Sequence, residues 1–489
     1  MKKIYDVMLF VVEKYYWCFF VLLTLLIGFL SFYHLDGAYV NSWDEARHGI
    51  NAYEMMQNQD YLVHTYGYET DYWNYKPPFS FYGIILGYKL FGYTVFGMRF
   101  YSAVCYMILT IFVGLFVKRY GKIASLCSLA FLAANFRCFE YHMVRSGDAD
   151  SMFVMFFTLA MLSMFLIPKK KYMIYFCGFF FACAFLTKSW HAMMIVAIGG
   201  LFLIFSGEIK KLNIKQWILF LLSFSLPLGT WAVARISRDG FTFLQGMLEY
   251  DLLKRTGQRL ENHDFPMEYY FTFLFCDNKI YLPALILCIC GAVFFTKMYV
   301  KENKGEISGY LLWTLVPFTA FSLASTKLNW YVYPVIIPIF ICASVFMEKF
   351  LKSQEIRTGI KVIGLCLVMT ALLLGMKETY SNIRSLNGDE FQTFLMESVD
   401  RDSDYAGNHA YIQLNVPEYP EYWTQCNQLL GELQGDYQCE NGGIAGFLSD
   451  KKEDTLLYLS MDLYETNKKE LADCQVLHEN SQWILMQKK

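Results

Sequence analysis

The sequence predicts a mainly α protein, a polytopic bundle of about 11–13 membrane-spanning helices followed by a small extracytoplasmic α/β domain. Three observations predict it. Of 489 residues, 55% are hydrophobic and only 18% charged, with a mean hydropathy of +0.29. Clusters of Lys and Arg recur after every second apolar run. Beyond residue 377 the chain turns polar and is punctuated by turns.

Apolar runs fall at roughly 15–35, 97–117, 123–142, 151–167, 172–188, 191–206, 216–235, 280–297, 308–325, 330–348 and 360–377. The run after Lys14 is long enough to stay as an anchor, and no cleavage pattern follows it. Lys2 and Lys3 precede the first run. Lys118, Arg119 and Lys122 follow the second, Lys169–Lys171 the fourth and Lys210, Lys211 and Lys215 the sixth. Lys297, Lys301 and Lys304 follow the eighth, and Lys349, Lys352, Arg357 and Lys361 the tenth. All fall on one side if 78–91, about 14 residues, does not cross, and positive loops stay cytoplasmic. The opposite side then collects residues 36–96, 143–150, 188–190, 236–279, 326–329 and everything after 377.

That side holds the chemistry. Residues 45–59 read as an amphipathic helix in the headgroup layer, with Ala46, Ile50, Tyr53 and Met56 on one face and Arg47, Asn51, Glu54 and Asn58 on another. Asp44 stands where it would cap that helix or face a headgroup as a general base. Glu45 beside it suits a positioning ion pair, and Arg47 and His48 complete the polar run. Lys76 precedes two prolines that hold it in extended chain. It either binds an anion or snorkels among Tyr72, Trp73 and Tyr75. Asp148 and Asp150, spaced to share a divalent cation, equally cap the helix that follows. Lys254, Arg255 and Arg259 share a helix face or are simply solvated. Lys188 and Lys327 sit in short turns on the same side.

After residue 377, 386–399 and 421–433 look helical, while 409–415, 455–461 and 482–487 look like strands. Fourteen cysteines occur, eleven of them before residue 370, in or beside apolar runs as small hydrophobes. Cys426, Cys439 and Cys474 lie in the tail, where two could pair. A net charge of −2 gives no reason to expect a nucleic-acid partner. No Asp, Glu or Lys falls in the middle of an apolar run, which argues against an ion-coupled transporter. A transporter or flippase of a lipid-linked sugar remains the alternative.

As an ordered set, several motifs resemble the GT-C glycosyltransferases. They are Trp43-Asp44-Glu45-Ala46-Arg47-His48, Tyr72-Trp73-Asn74-Tyr75-Lys76-Pro77-Pro78, Leu90-Phe91-Gly92 and Arg99-Phe100-Tyr101-Ser102-Ala103. Arg145–Asp150, Leu186-Thr187-Lys188 and Ser322–Lys327 through Tyr331 and Pro334 follow in the family's order. The closer group is the aminoarabinose lipid A transferases and protein O-mannosyltransferases. The resemblance covers roughly residues 1–377 and leaves 378–489 as a separate domain. It implies an enzyme of GT-C fold that transfers a sugar, with inversion, from a polyprenyl-phosphate donor at the outer face. The acceptor stays open among lipid, protein and cell-wall glycopolymer. Asp44 matches the first-loop acid, Asp150 the second-loop acid better than Asp148, and Lys76 the lysine near the donor phosphate. Arg255 and Tyr331 match further phosphate-contacting positions, with Lys327 nearby. Tyr75 stands where the aminoarabinose branch commonly carries a metal-binding Glu, so that metal is not carried over. A divalent metal at Asp148 and Asp150 remains open.

Overall fold

A computed structural model describes residues 2–41, 43–139, 142–257, 265–276, 281–299, 304–386, 388–399, 403–415, 420–440 and 442–488. The chain is mainly helical. α1 (Lys2–Lys14) and α2 (Tyr16–Phe32) meet at a bend of 72°. α3 (Asp44–Gln57) leads through a short hairpin, β1 (Thr65–Tyr66) and β2 (Glu69–Thr70), to α4 (Phe79–Phe91). Then come α5 (Val95–Val117), α6 (Lys122–Ala134), α7 (Asp150–Leu166), α8 (Met173–Lys188), α9 (Met193–Phe205) and α10 (Ile214–Asp239). Short pieces follow, α11 (Thr242–Gly246), a π-helical stretch Met247–Lys254, α12 (Arg255–Gly257) and α13 (Tyr269–Phe271). α14 (Tyr281–Tyr299), α15 (Lys304–Leu323), α16 (Tyr333–Lys352) and α17 (Thr358–Arg384) complete the bundle.

Among the described residues, five helical stretches are long and apolar enough to cross a membrane, or six if α1 and α2 form one broken span. The sequence led us to expect about 11–13, and the difference has a local cause. Several apolar runs make shorter helices. The run at 123–142 stops at Ala134, where Asn135 turns extended before a 3-10 turn at Phe136–Phe139. α4, which was not counted among the expected spans, has 13 residues, about 20 Å at 1.5 Å per residue, against a hydrocarbon core of about 30 Å. Met173–Phe205 passes the length test as one stretch, yet Ser189, at φ +46°, breaks it where two spans were expected. The outer helices leave apolar side chains uncovered: Leu25 on α2, Val233 on α10 and Leu367 on α17 are more than 60% exposed. Apolar residues turned outward in this way suit a lipid surround.

α3 does not lie on a headgroup surface. Both its faces are buried, Ala46 and Ile50 as expected but also Asn51 and Glu54. The hairpin covers the polar face, Arg47 bonding to Asp71, Asn51 to Thr65 and Glu54 to the backbone of Gly67 and Tyr68, while the tail packs on the opposite face. Gly49 makes this possible, because a Cβ there would stand within 3 Å of both Leu429 and Met98 side chains. Tyr53 donates to Asp436, and the Gln392 amide pairs with both backbone groups of Val40.

The tail folds as α18 (Glu390–Ser398), β3 (His409–Gln413), α19 (Pro420–Gly435), β4 (Gln438–Glu440), α20 (Gly443–Ser449), β5 (Leu456–Ser460), α21 (Met461–Asn467), β6 (Gln475–Glu479) and β7 (Trp483–Gln487). The sheet order is β4-β3-β5-β7-β6. β3 pairs in parallel with β4 and β5, which forces the helical crossovers α19 and α20. β7 is antiparallel to β5 and β6. β5 is buried along its whole length, as a central strand covered on both faces must be. The expected helices and three expected strands are present, while β4 and β6 were not anticipated. Among the described residues no disulfide joins Cys426, Cys439 and Cys474.

Candidate active site

The site begins with a buried ion pair. Arg99 of α5 donates from Nε to Glu45 Oε1 at 2.7 Å and from Nη2 to Oε2 at 3.0 Å, with both side chains fully buried. Its other donors take the carbonyls of Leu35, Ala38 and Tyr39. Glu45 also accepts the backbone N–H groups of Asn41 and Gly147, each at 2.9 Å. One carboxylate therefore ties the start of α3 to α5 and to the turn before α7. Its oxygens are committed, which suits positioning rather than proton transfer.

That turn carries the second group of acids. Asp148 lies between two imidazoles, 3.4 Å from His48 Nδ1 and 3.2 Å from His142 Nδ1, and accepts from the Ser146 hydroxyl. Burial pushes its carboxyl up, but the imidazoles outweigh this and hold it below its usual value. Burial lowers His142 in turn, yet Asp148 and Asp150 raise it on balance, whereas for His48 burial and Lys76 prevail and lower it. Asp150 opens α7, 3.7 Å from His142, and forms an ion pair with Lys188 at the end of α8. The His142 ring stacks on Trp330, centroids 3.4 Å apart.

Asp44 is the more open acid. It is the first residue of α3, and Trp43, at φ +66°, occupies the cap position without a side-chain cap bond. Of the two readings left open for Asp44, the cap position itself thus falls to Trp43. Its carboxylate stands 3.5 Å from Lys76 Nζ, with the side chains 27% and 19% exposed respectively. Both line a small cavity with Lys188, His191, Asp251 and Tyr331. Lys188 also lies 5.3 Å over the Tyr331 ring. Two acids, two ammonium groups, an imidazole and a phenol therefore share one space.

Other residues named from the sequence lie elsewhere. Arg47 makes two 2.8 Å bonds to Asp71 and stacks on Tyr66 and Trp73, bracing the hairpin against α3. Lys327 turns its ammonium to the carbonyl of Ala324 and does not line the cavity. Of Arg255 only the backbone is described, and Arg259 lies outside the described residues. His142, His191, Asp251 and Trp330 were not anticipated. His142 had a signal, an ionisable residue at the end of an apolar run six positions before Asp148. Trp330 stands beside Tyr331 and His191 three residues after Lys188, whereas Asp251 joins the site only through folding.

Asp44, His142 and Asp148 bring ligand atoms within 4.8 Å of one another. A mixed carboxylate–imidazole set of this kind fits a divalent transition metal. It differs from the Asp148–Asp150 pair considered from sequence, because Asp150 is already held by Lys188.

Residues 75–231 match the dolichyl-phosphate-mannose-protein mannosyltransferase family. An undecaprenyl phosphate-alpha-4-amino-4-deoxy-L-arabinose arabinosyl transferase from Wigglesworthia glossinidia brevipalpis is 26% identical over 366 residues, 72% of this chain and 63% of that protein. By these matches the chain is similar to GT-C glycosyltransferases of the arabinosyltransferase and protein mannosyltransferase type. The chain spans just under two thirds of that relative's length. Its fold is similar to that of ArnT from Cupriavidus metallidurans bound to undecaprenyl phosphate, with a TM-score of 0.65 at 14% identity over 96% of this chain and 97% of that one. The archaeal oligosaccharyltransferase AglB from Archaeoglobus fulgidus, in complex with an inhibitory peptide and a dolichol-phosphate, aligns with a TM-score of 0.53 at 10% identity, over 94% and 71% of the two chains.

Proposed function

We propose that the enzyme transfers a sugar, with inversion, from a polyprenyl-phosphate-linked donor to a lipid, protein or glycopolymer acceptor at the outer face of the membrane. The observation that carries this reading is the cavity where Asp44 meets Lys76 at 3.5 Å, with Lys188 and Tyr331 on its wall. The relatives support it, since they are an undecaprenyl-phosphate-dependent arabinosyl transferase and proteins solved with polyprenyl phosphates.

The chemistry follows from the charges. When the donor enters, its phosphate competes with Asp44 for Lys76 and draws the ammonium to itself. Asp44 is then left facing the acceptor. The acceptor oxygen attacks the anomeric carbon and its proton passes to Asp44, while the sugar–oxygen bond to the phosphate breaks. Lys76 and Lys188 take up the charge on the departing phosphate, and Tyr331 offers a hydroxyl donor beside them. Asp150 orients Lys188. Glu45, through Arg99, fixes the helix start from which Asp44 projects. Arg255 is retained as a further phosphate ligand, since the backbone beside it reaches the loop before Tyr331 through Ser325 N to Thr256 O at 3.4 Å. Lys327 would need to leave Ala324 to join it. Asp44, His142 and Asp148 would hold a divalent cation, which when bound supplies positive charge for orienting anionic or hydroxyl oxygens.

The test is sugar transfer from a lipid donor in detergent with no membrane gradient, followed by mass measurement of the glycosylated product. Loss of all activity on solubilising a folded, stable protein would favour the transporter alternative, which has no support among the proteins to which the chain is similar.

A further inference from the structure

Behind the turn that carries Asp148 lies a second pocket. Its walls include Asn41, Phe139, Arg145, Thr379, Asn382 and Ser385, and its volume is about 340 Å³. It shares no lining residue with the cavity at Asp44. Pockets of this size hold small ligands, and here polar groups stand among apolar ones.

Arg145 gives the pocket its character. The side chain is 3% exposed. Its Nη1 donates to the carbonyl of Tyr33 at 3.0 Å and to Leu30 at 3.5 Å, and its Nη2 donates to His34, so it caps the end of α2. Carbonyls satisfy donors but do not neutralise a charge. Among the described residues no carboxylate comes within ion-pair distance of Arg145, and its Nε has no hydrogen-bond partner. Burial and the Arg99 guanidinium lower its pKa to about 10, with exposed Asp36 opposing, so it stays charged at neutral pH. A buried cation without a counter-charge is costly. The same wall holds Thr379, fully buried, whose hydroxyl also lacks a partner.

Two buried polar groups with unused hydrogen-bonding capacity, one of them cationic, therefore line one pocket. Asn382 and Ser385 are exposed near the end of α17, and Phe139 supplies an apolar wall. We propose that this pocket binds a phosphate-type anion, its charge met by Arg145 and its oxygens by Thr379. The anion reaches it either on an outer-leaflet lipid or free in solution. The site is independent of the donor cavity and of the proposed transfer reaction.

The experiment titrates the full-length protein in detergent, carrying Lys76→Ala so that the donor cavity is disabled. Three probes are used: short-chain phosphatidate, diacylglycerol of the same chain length and inorganic phosphate. Binding is read by calorimetry. Phosphatidate is expected to bind and diacylglycerol not. Ser385→Glu, which places a negative charge at the exposed mouth without touching the α2 cap, should weaken phosphatidate about tenfold or more, and Thr379→Val should weaken it in the same direction. Binding of phosphatidate but not inorganic phosphate assigns a lipid. Equal binding of both assigns the free anion. The proposal is overturned if neither anion binds once Lys76 is removed, if diacylglycerol binds as well as phosphatidate, or if both variants leave the affinity unchanged. Arg145→Gln is informative only if it folds, which is why the mouth variant carries the test.

Discussion

Lys76 and Asp44 face one another at 3.5 Å across a cavity that neither seals, the lysine held by the extended chain before Pro77 and the aspartate by the first turn of α3. Each is therefore available to a different reactant. The two can be separated by mutation.

Lys76→Ala removes a principal cation for the donor phosphate. Charge-assisted hydrogen bonds contribute roughly 1.5–3 kcal/mol, so donor affinity should fall about 10- to 150-fold. A direct titration with the lipid donor checks this. Unchanged affinity would return Lys76 to the role of an interfacial anchor.

Asp44→Asn keeps size and shape. Turnover should fall by roughly two to four orders of magnitude while donor binding changes little, as expected for a lost general base. Single-turnover rates at saturating donor are the measurement. Near-normal turnover in a folded variant would move the base to Asp150, whose partner Lys188 would then have to release it.

Glu45→Ala leaves Arg99 charged and buried. Breaking such a pair from one side costs about 3–5 kcal/mol, so the variant should unfold at distinctly lower temperature in detergent. Replacing both residues with methionine should recover much of that loss, because no charge is then stranded. A double variant as unstable as the single one would show that the carbonyls around Arg99, not Glu45, carry the effect.

His64 gives a pH dependence. Burial lowers its pKa from 6.5 to about 4, and its Nε2 lies 2.7 Å from the carbonyl of Asn74. As pH falls below about 6.5 the unfolded chain takes up a proton that the folded one resists until about 4. Stability should therefore decline across that window by roughly 3 kcal/mol in all from this group. His64→Gln should flatten that part of the stability–pH curve, and an unaltered curve would assign the slope to other groups.

Topology is open to direct labelling. With residues 36–96 and the tail outside, Asn408→Cys should react with an impermeant thiol reagent in intact cells. Labelling only after permeabilisation would reverse the orientation and remove the outer-face active site with it.

The sequence by itself determined the class of protein, the positions of most apolar helices and the location of the acids. Those properties are local or nearly so. Hydropathy over twenty residues, a helix period after Asp44 and the turn residues around Asp148 and Asp150 need no partner to be read. The family motifs added an order to them. Only the tertiary structure decided which acid is committed and which is open. Glu45 and Asp44 are neighbours in sequence with the same charge, yet Arg99, fifty-four residues on, reaches one and not the other. Lys188 meets Asp150 and Lys76 meets Asp44 for the same reason: α8 and the loop before α4 arrive beside different acids. Nor could the sequence show that α3 is sandwiched. Its polar face reads as solvated until the hairpin of β1 and β2 folds over Arg47, Asn51 and Glu54, and its opposite face meets α19, where Leu429 closes against Gly49. Charge pairing and burial depend on contacts between distant segments, and these exist only once the helices have packed.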